Sequence, residues 1–321
     1  CIINQKDTLF KILVYKEVLY VIKNNLISIL DLSKEQQLSI FNLANNEKYL
    51  FSEYSHILDD KILGTFFFQP STRTQFSFQS AFVRLGGNYI GCSDINSTRS
   101  GPPYFESICD MGTIISNYCD IIVMRTIDDL QTAQMIQGAH VPIISAGSGN
   151  IEHPTQALTD IYTIRKYYGN LTKHEILIIG TPRQRTINSF IKGMSIWGDN
   201  NFHILCQSGI EIPAEVKCNL KESTITYYHT WNEIWEHGIA KSISIVYIDK
   251  IFNETHQRTD FIPLKNEFIS HINSDTLILH PLPRTAELPY FMDSLHGANY
   301  FLQAQNGLYI RASLFLHYLV L

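Results

Sequence analysis

The stretch Gln69-Pro70-Ser71-Thr72-Arg73-Thr74-Gln75-Phe76-Ser77-Phe78 decides the fold. An apolar run, residues 62–68, leads into Pro70, and a helical pattern follows the small, hydroxyl-rich, cationic turn. A strand that enters a helix through Ser-Thr-Arg-Thr aims several backbone N–H groups, three hydroxyls and one guanidinium at a single point. That point suits a phosphate.

Outward from this turn, strand-like and helical runs alternate. Residues 62–68, 88–92, 120–124 and 141–145 read as strands, and 74–85 and 106–118 as helices. Gly86-Gly87 stops the first of these helices. A helix over 153–168 leads to a second set: strands at 175–179, 202–206, 242–248 and 276–279, a helix at 186–197 and a last helix at about 308–320. Upstream, Ser33 and Gln36 form a capping box that opens a helix. Such alternation predicts an α/β protein of two doubly wound parallel-sheet domains with an interdomain cleft. The expected division is 1–152, joined by a C-terminal helix at about 306–321, and 153–305. Ligands in such sheets sit outside the carboxyl ends of the strands. Arg125, His153, Arg185, Lys250 and the turn from His280 to Arg284 all fall at such ends.

The 321 residues suffice for two domains, and a net charge of −5 with pI near 6.2 argues against a nucleic-acid partner. A small anionic substrate stays compatible with that charge, because local arginines outweigh the net value. The six cysteines include no Cys-x-x-Cys pair, so no metal site is expected and free thiols in a reducing compartment are. Residues 10–30 read as an amphipathic helix, because Lys11, Lys16, Glu17 and Lys23 interrupt them as a membrane span. No signal peptide is read. The expectation is a cytoplasmic protein without a membrane partner.

Three further motifs carry chemistry. His153-Pro-Thr-Gln156 opens a helix, and its imidazole and amide, three residues apart, could read both ends of a carbamoyl or amide group. His280-Pro-Leu-Pro-Arg284 follows a strand, and its two prolines free the carbonyls near Leu282 to accept from an NH2 group. Gly180-Thr-Pro-Arg-Gln-Arg185 lacks the glycine spacing of a dinucleotide fingerprint, but two arginines there suit a carboxylate.

Taken together, Ser71-Thr-Arg-Thr, Val123-Met-Arg125, His153-Pro-Thr-Gln156, His280-Pro-Leu-Pro-Arg284 and the Asn306-Gly307 to Arg311 segment resemble the aspartate/ornithine carbamoyltransferase family over nearly the whole chain. His-Pro-Leu-Pro-Arg points to its aspartate branch. The resemblance implies an enzyme that moves a carbamoyl group from carbamoyl phosphate to a small amino acid. It also implies a homotrimer with shared active sites, with no metal and no cofactor. By position, Ser71, Thr72, Arg73 and Thr74 would hold the phosphate, and Thr74, Arg125 and His153 would polarise the carbamoyl oxygen. Arg73, Thr74, Arg125 and His153 are thus the catalytic candidates. Gln156 and the carbonyls near Pro281 and Leu282 would take the carbamoyl NH2. Arg185, Lys250, Phe252 and Arg284 would face the acceptor.

The chain departs from that pattern unevenly. The family loop donated by a neighbouring subunit carries a serine and a lysine. Here the stretch reads Ser97-Thr-Arg-Ser-Gly-Pro-Pro-Tyr-Phe-Glu106, which puts Tyr104 at the lysine position and leaves Ser100 and Arg99 as replacements. In the acceptor half, the usual Arg-x-Gln reads Lys250-Ile-Phe252, and the turn before Arg185 is shortened. Lysine cannot make the fork contact of an arginine to a carboxylate. An intact donor half beside an altered acceptor half favours a working carbamoyltransferase with a related acceptor, such as a diamino acid. The alternatives are ordinary aspartate carbamoylation and an inactive structural paralogue.

Overall fold

The structure, a computed structural model, describes residues 25–94, 106–149, 152–251, 264 and 267–321. In chain order the elements are α1 (Lys34–Asn45), α2 (Glu47–Glu53), β1 (Ile62–Phe67), α3 (Thr72–Arg84), β2 (Asn88–Cys92), α4 (Ile108–Ile115), β3 (Ile121–Thr126), α5 (Asp129–Gly138), β4 (Ile143–Ser148) and α6 (Pro154–Tyr168). The second half holds β5 (Glu175–Ile179), α7 (Arg185–Trp197), β6 (Asn201–Leu205), α8 (Ala214–Lys217), β7 (Thr224–Tyr228), α9 (Trp231–Glu236), β8 (Ile245–Ile248), α10 (Glu267–His271), β9 (Leu277–Leu279) and α11 (Tyr300–Leu319).

The strands form two all-parallel sheets, ordered β2-β1-β3-β4 and β7-β6-β5-β8-β9. Each is covered by helices on both faces, as continuous apolar strands such as Ile121-Ile-Val-Met and Ile245-Val-Tyr-Ile require. One apolar core runs along the inner faces of both sheets, through α6 and α11, and two smaller cores lie on the outer faces. Within it Phe315 of α11 meets Phe78 and Phe82 of α3 edge-on, so the last helix docks on the first half of the chain. The two-sheet α/β architecture read from the sequence is the one observed.

Some local expectations need correction. The last helix starts at Tyr300, eight residues before the expected point, and Gly307 lies inside it. The glycine is there for space: a Cβ would fall 2.2 Å from Nη1 of Arg311. The expected helix over 10–30 does not extend through its last residues. Leu26 instead pairs with β4, with Leu26 N–H donating to the Ile143 carbonyl (2.8 Å), and a 3-10 turn follows at Ile29–Asp31; the residues before Asn25 lie outside the described set. The strand β7 and the helices α5 and α9 were not anticipated. β7 is a half-exposed edge whose Thr-Ile-Thr-Tyr-Tyr run lacks a continuous apolar signal.

Cys92, Cys109, Cys119, Cys206 and Cys218 are free thiols. Among the described residues, no helix is long and apolar enough to cross a membrane, and no group of three His, Cys, Asp or Glu side chains could hold a metal.

Candidate active site

The carboxyl ends of the strands in both sheets open onto one cavity of about 610 Å³. From the first sheet come Ser71, Thr72, Arg73 and Thr74 after β1, and Arg125 near the end of β3. From the second come Arg185 after β5, Asp249 and Lys250 after β8, and His280, Pro281 and Leu282 after β9. His153 and Gln156, at the start of α6, lie between them in the chain, and Gln303 and Arg311 of α11 complete the wall. The N-termini of α3, α6 and α7 all carry lining residues, so three helix dipoles present their positive ends here.

At α3 the helix begins at Thr72, two residues earlier than the sequence suggested, so the whole Thr-Arg-Thr run forms its first turn. First-turn N–H groups have no partner within a helix. The Ser71 hydroxyl does not cap them. That leaves hydroxyls, amides and the Arg73 guanidinium for an anion.

Cationic charge dominates. Arg125 is pushed down to about 9, first by burial and then by the charges of Arg185 and Arg73. Its Nε is buried with no hydrogen-bond partner. Burial lowers Arg73 and Arg185 as well, with Asp249 partly restoring Arg185. Burial takes Arg311 to about 10 against the pull of Asp160, and its Nε also lacks a partner. Like charges held together out of water await an anion. The same field acts on His153, which burial, then Arg125, Arg185 and Arg311, hold well below the ordinary histidine value. The imidazole is therefore neutral at physiological pH. Its backbone N–H donates to Ser189 Oγ (2.7 Å), and Thr155 Oγ1 lies 3.4 Å from Nδ1. With that hydroxyl donating, Nε2–H is free for a ligand oxygen. Gly147 makes room for the ring: a Cβ there would lie 3.3 Å from His153 Cδ2 and 3.4 Å from the Arg185 guanidinium.

Asp160, wholly buried on α6, organises the polar groups. It accepts from Gln156 Nε2 (2.8 Å), Gln303 Nε2 (2.6 Å) and Tyr247 OH (3.0 Å). Burial still pushes its carboxyl up to about 7, against those hydrogen bonds. Because Gln156 spends its NH2 on Asp160, its carbonyl oxygen is left to accept. Gln303 in turn accepts from the His280 N–H (2.9 Å). His280 takes the Leu282 N–H on Nδ1 (2.8 Å) and faces Glu287 with Nε2 (3.2 Å). Burial raises the Glu287 carboxyl, but hydrogen bonds from His280 and Thr285 outweigh it and leave it at about 2. This chain of contacts fixes the 280–282 turn, where Leu282 adopts a left-handed φ of 57°, a conformation costing roughly 1 kcal/mol outside glycine.

Of the residues expected from the sequence, the structure brings Ser71, Thr72, Arg73, Thr74, Arg125, His153, Gln156, Arg185, Lys250, Pro281 and Leu282 into the cavity wall. Arg284 faces elsewhere. It donates to Asp293 (Nη2 to Oδ2, 2.9 Å) and stacks 4.2 Å from the Tyr290 ring. Arg99, Ser100, Tyr104 and Phe252 lie outside the described residues. Sequence reading missed Asp249, Gln303, Thr186 and the part played by Arg311. Asp249 had a usable signal, an acid directly after an apolar strand.

The family model described as aspartate/ornithine carbamoyltransferase, carbamoyl-P binding domain, matches residues 24–166. The one described as the Asp/Orn binding domain of the same family matches residues 172–318. The aspartate carbamoyltransferase catalytic subunit of Clostridium kluyveri is 36% identical over 298 residues, covering 90% of this chain and 96% of that protein. Its counterpart in Clostridium acetobutylicum is 34% identical over the same shares. In fold, the chain matches aspartate transcarbamoylase from Trypanosoma cruzi in complex with aspartate and phosphate, with a TM-score of 0.83 at 24% identity over 95% of this chain and 97% of that one. It also matches the catalytic subunit of M. jannaschii aspartate transcarbamoylase, with a TM-score of 0.76 at 29% identity over 92% and 97%. The chain belongs to the aspartate/ornithine carbamoyltransferase family of enzymes.

Proposed function

We propose that the protein transfers the carbamoyl group of carbamoyl phosphate to the amine of a small amino acid, releasing phosphate. The observation that carries this reading is one cavity in which the 71–74 cradle and Arg125 meet His153, Gln156, Arg185 and Lys250. A neutral amine attacks the carbamoyl carbon, forming an N–C bond. Charge gathers on the carbonyl oxygen, where Thr74, Arg125 and the Nε2–H of neutral His153 can donate. The C–O bond to phosphorus's oxygen then breaks, and phosphate leaves with the electron pair and takes the amine's proton. Gln156 Oε1 and the carbonyls of Pro281 and Leu282 accept from the carbamoyl NH2 and fix its plane. Positioning and oxyanion stabilisation supply the acceleration, and no covalent enzyme intermediate is needed.

For the acceptor, Lys250 in place of a forked guanidinium favours an amino acid less acidic than aspartate, such as a diamino acid. Aspartate itself is the second reading, favoured by the names of the Clostridium relatives. We also propose a homotrimer. Phe76 and Val83 of α3, with Tyr89 and Ile90 of the edge strand β2, leave apolar surface exposed that an assembly would cover.

Four outcomes follow. Phosphate release measured with carbamoyl phosphate across an amino-acid panel should require an amine and be greater with 2,3-diaminopropionate than with aspartate; strong turnover with aspartate alone contradicts the acceptor reading. Arg125→Ala should lower kcat by about 100- to 1,000-fold, the typical cost of one oxyanion donor, and an unchanged kcat would remove Arg125 from the mechanism. Because its pKa is depressed, His153 should stay neutral as pH falls through 6.5, charging only in more acidic solution; imidazole NMR showing titration at or above 6.5 contradicts this. Light scattering should give about three times the chain mass of 36.8 kDa, whereas a monomer at micromolar concentration would rule the assembly out.

A further inference from the structure

Glu152 immediately precedes His153, and its carboxylate gathers donors from two remote parts of the chain. We propose that Glu152 is a positioning residue: clamped by Ser28, Ile29 and Lys192, it fixes the backbone from which the His153 imidazole reaches the carbamoyl oxygen. The inference rests on the carbamoyl-transfer reading above and adds to it a group that touches no substrate.

The clamp closes from two sides. Lys192 Nζ of α7 donates to Glu152 Oε1 (2.7 Å), and both side chains are more than nine-tenths buried. Opposite, the Ser28 hydroxyl lies 2.9 Å from Oε1 and 3.0 Å from Oε2, and the Ile29 N–H donates to Oε2 (3.1 Å). The Glu152 carbonyl accepts from the Ser148 N–H (3.0 Å) at the end of β4. The anchors are themselves held. The Ile27 and Ser28 N–H groups both donate to Asp31 Oδ2 (2.8 Å each). The Ser145 N–H donates to the Leu26 carbonyl (2.8 Å), which ties this segment to β4. On the other side α7 lies tight against its neighbours. A Cβ on Gly193 would fall 2.6 Å from Ile161 Cδ1 of α6 and 3.2 Å from Ile29 Cγ1.

Ser189 and Lys192 are three residues apart and so share one face of α7. One takes the His153 N–H and the other the Glu152 carboxylate, while Arg185 opens the same helix and lines the cavity. A buried ion pair is weak evidence for a stabilising role, because both charges lose their hydration and apolar side chains of equal volume often serve as well. What a carboxylate offers that an apolar side chain does not is direction: about four acceptor positions, met here by donors from two segments. That direction passes to His153 through a single planar peptide unit. The imidazole needs it, since an oxyanion donor acts only where the charge develops.

The test compares Glu152→Gln, Lys192→Met and the double variant Glu152→Gln/Lys192→Gln. In either single variant kcat should fall about 10- to 100-fold, the scale of a misplaced reacting group, with KM for carbamoyl phosphate within about twofold. The double variant replaces the ion pair with an amide–amide hydrogen bond and should recover most of the lost kcat. A purely structural role would instead lower the melting temperature and leave the kcat of the folded protein unchanged, and that result overturns the proposal. Because a stranded buried charge can prevent folding, Ser28→Ala provides a milder break. It removes a hydroxyl donor, keeps the ion pair and should lower kcat about 10-fold, as for a lost hydrogen bond to a charged group; an unchanged kcat overturns the proposal as well. NMR of histidine-labelled protein separates this from the transfer reading. Phosphonoacetamide should shift the His153 ring resonances in the wild type and in the double variant, and much less in Glu152→Gln. Equal shifts in all three overturn the assignment. No phosphate release from any amine, with that pattern of shifts intact, counts against carbamoyl transfer and supports the positioning role.

Discussion

The Asp160 carboxylate holds the two halves of the cavity in register. It lies on α6, the helix that joins the two sheets, and takes hydrogen bonds from its own helix through Gln156, from α11 through Gln303 and from β8 through Tyr247. Three elements distant in sequence are thereby tied to one buried charge. Burial makes that charge expensive, which is why its carboxyl is raised to about 7, and only the full set of donors makes it tolerable. The arrangement then propagates outward. Gln156 must turn its carbonyl to the cavity, Gln303 anchors the His280 amide, and His280 with Glu287 shapes the turn that exposes the 281–282 carbonyls.

Around this anchored frame the protein collects more positive charge than it neutralises. Arg125 and Arg311 each keep a buried Nε without a partner, a cost that a bound anion can offset. Burial, together with the same charges, keeps His153 neutral, and a neutral imidazole that can donate from Nε2 suits an oxygen whose charge grows during reaction. Binding and chemistry thus come from one electrostatic arrangement. Among the described charged side chains of the wall, Asp249 is the one acid.

Much of this was legible in the sequence, for identifiable reasons. Continuous apolar strands ending in Ser71-Thr-Arg-Thr, Arg125 and His280-Pro-Leu-Pro announced both the parallel sheets and the side chains at their carboxyl ends, because in such sheets topology alone sends those ends to one side. Arg284 failed because a turn residue's direction depends on what lies across from it; Asp293 and Tyr290 claim it. The last helix was placed too late in the chain, since the need for a glycine inside it, for space beside Arg311, arises only once α11 is folded. Asp249 was not singled out, because its burial depends on the approach of Gly180 and Thr186 from a distant turn.

The most direct test of the account is a crystal structure of the protein with phosphonoacetamide and 2,3-diaminopropionate bound together. The account predicts the phosphonate against residues 71–74 and Arg125, the amide oxygen facing His153, and the amide NH2 within hydrogen-bond distance of Gln156 Oε1. A phosphonate seated away from the 71–74 turn, or a Gln156 side chain that has left Asp160 to donate to the ligand, would contradict it.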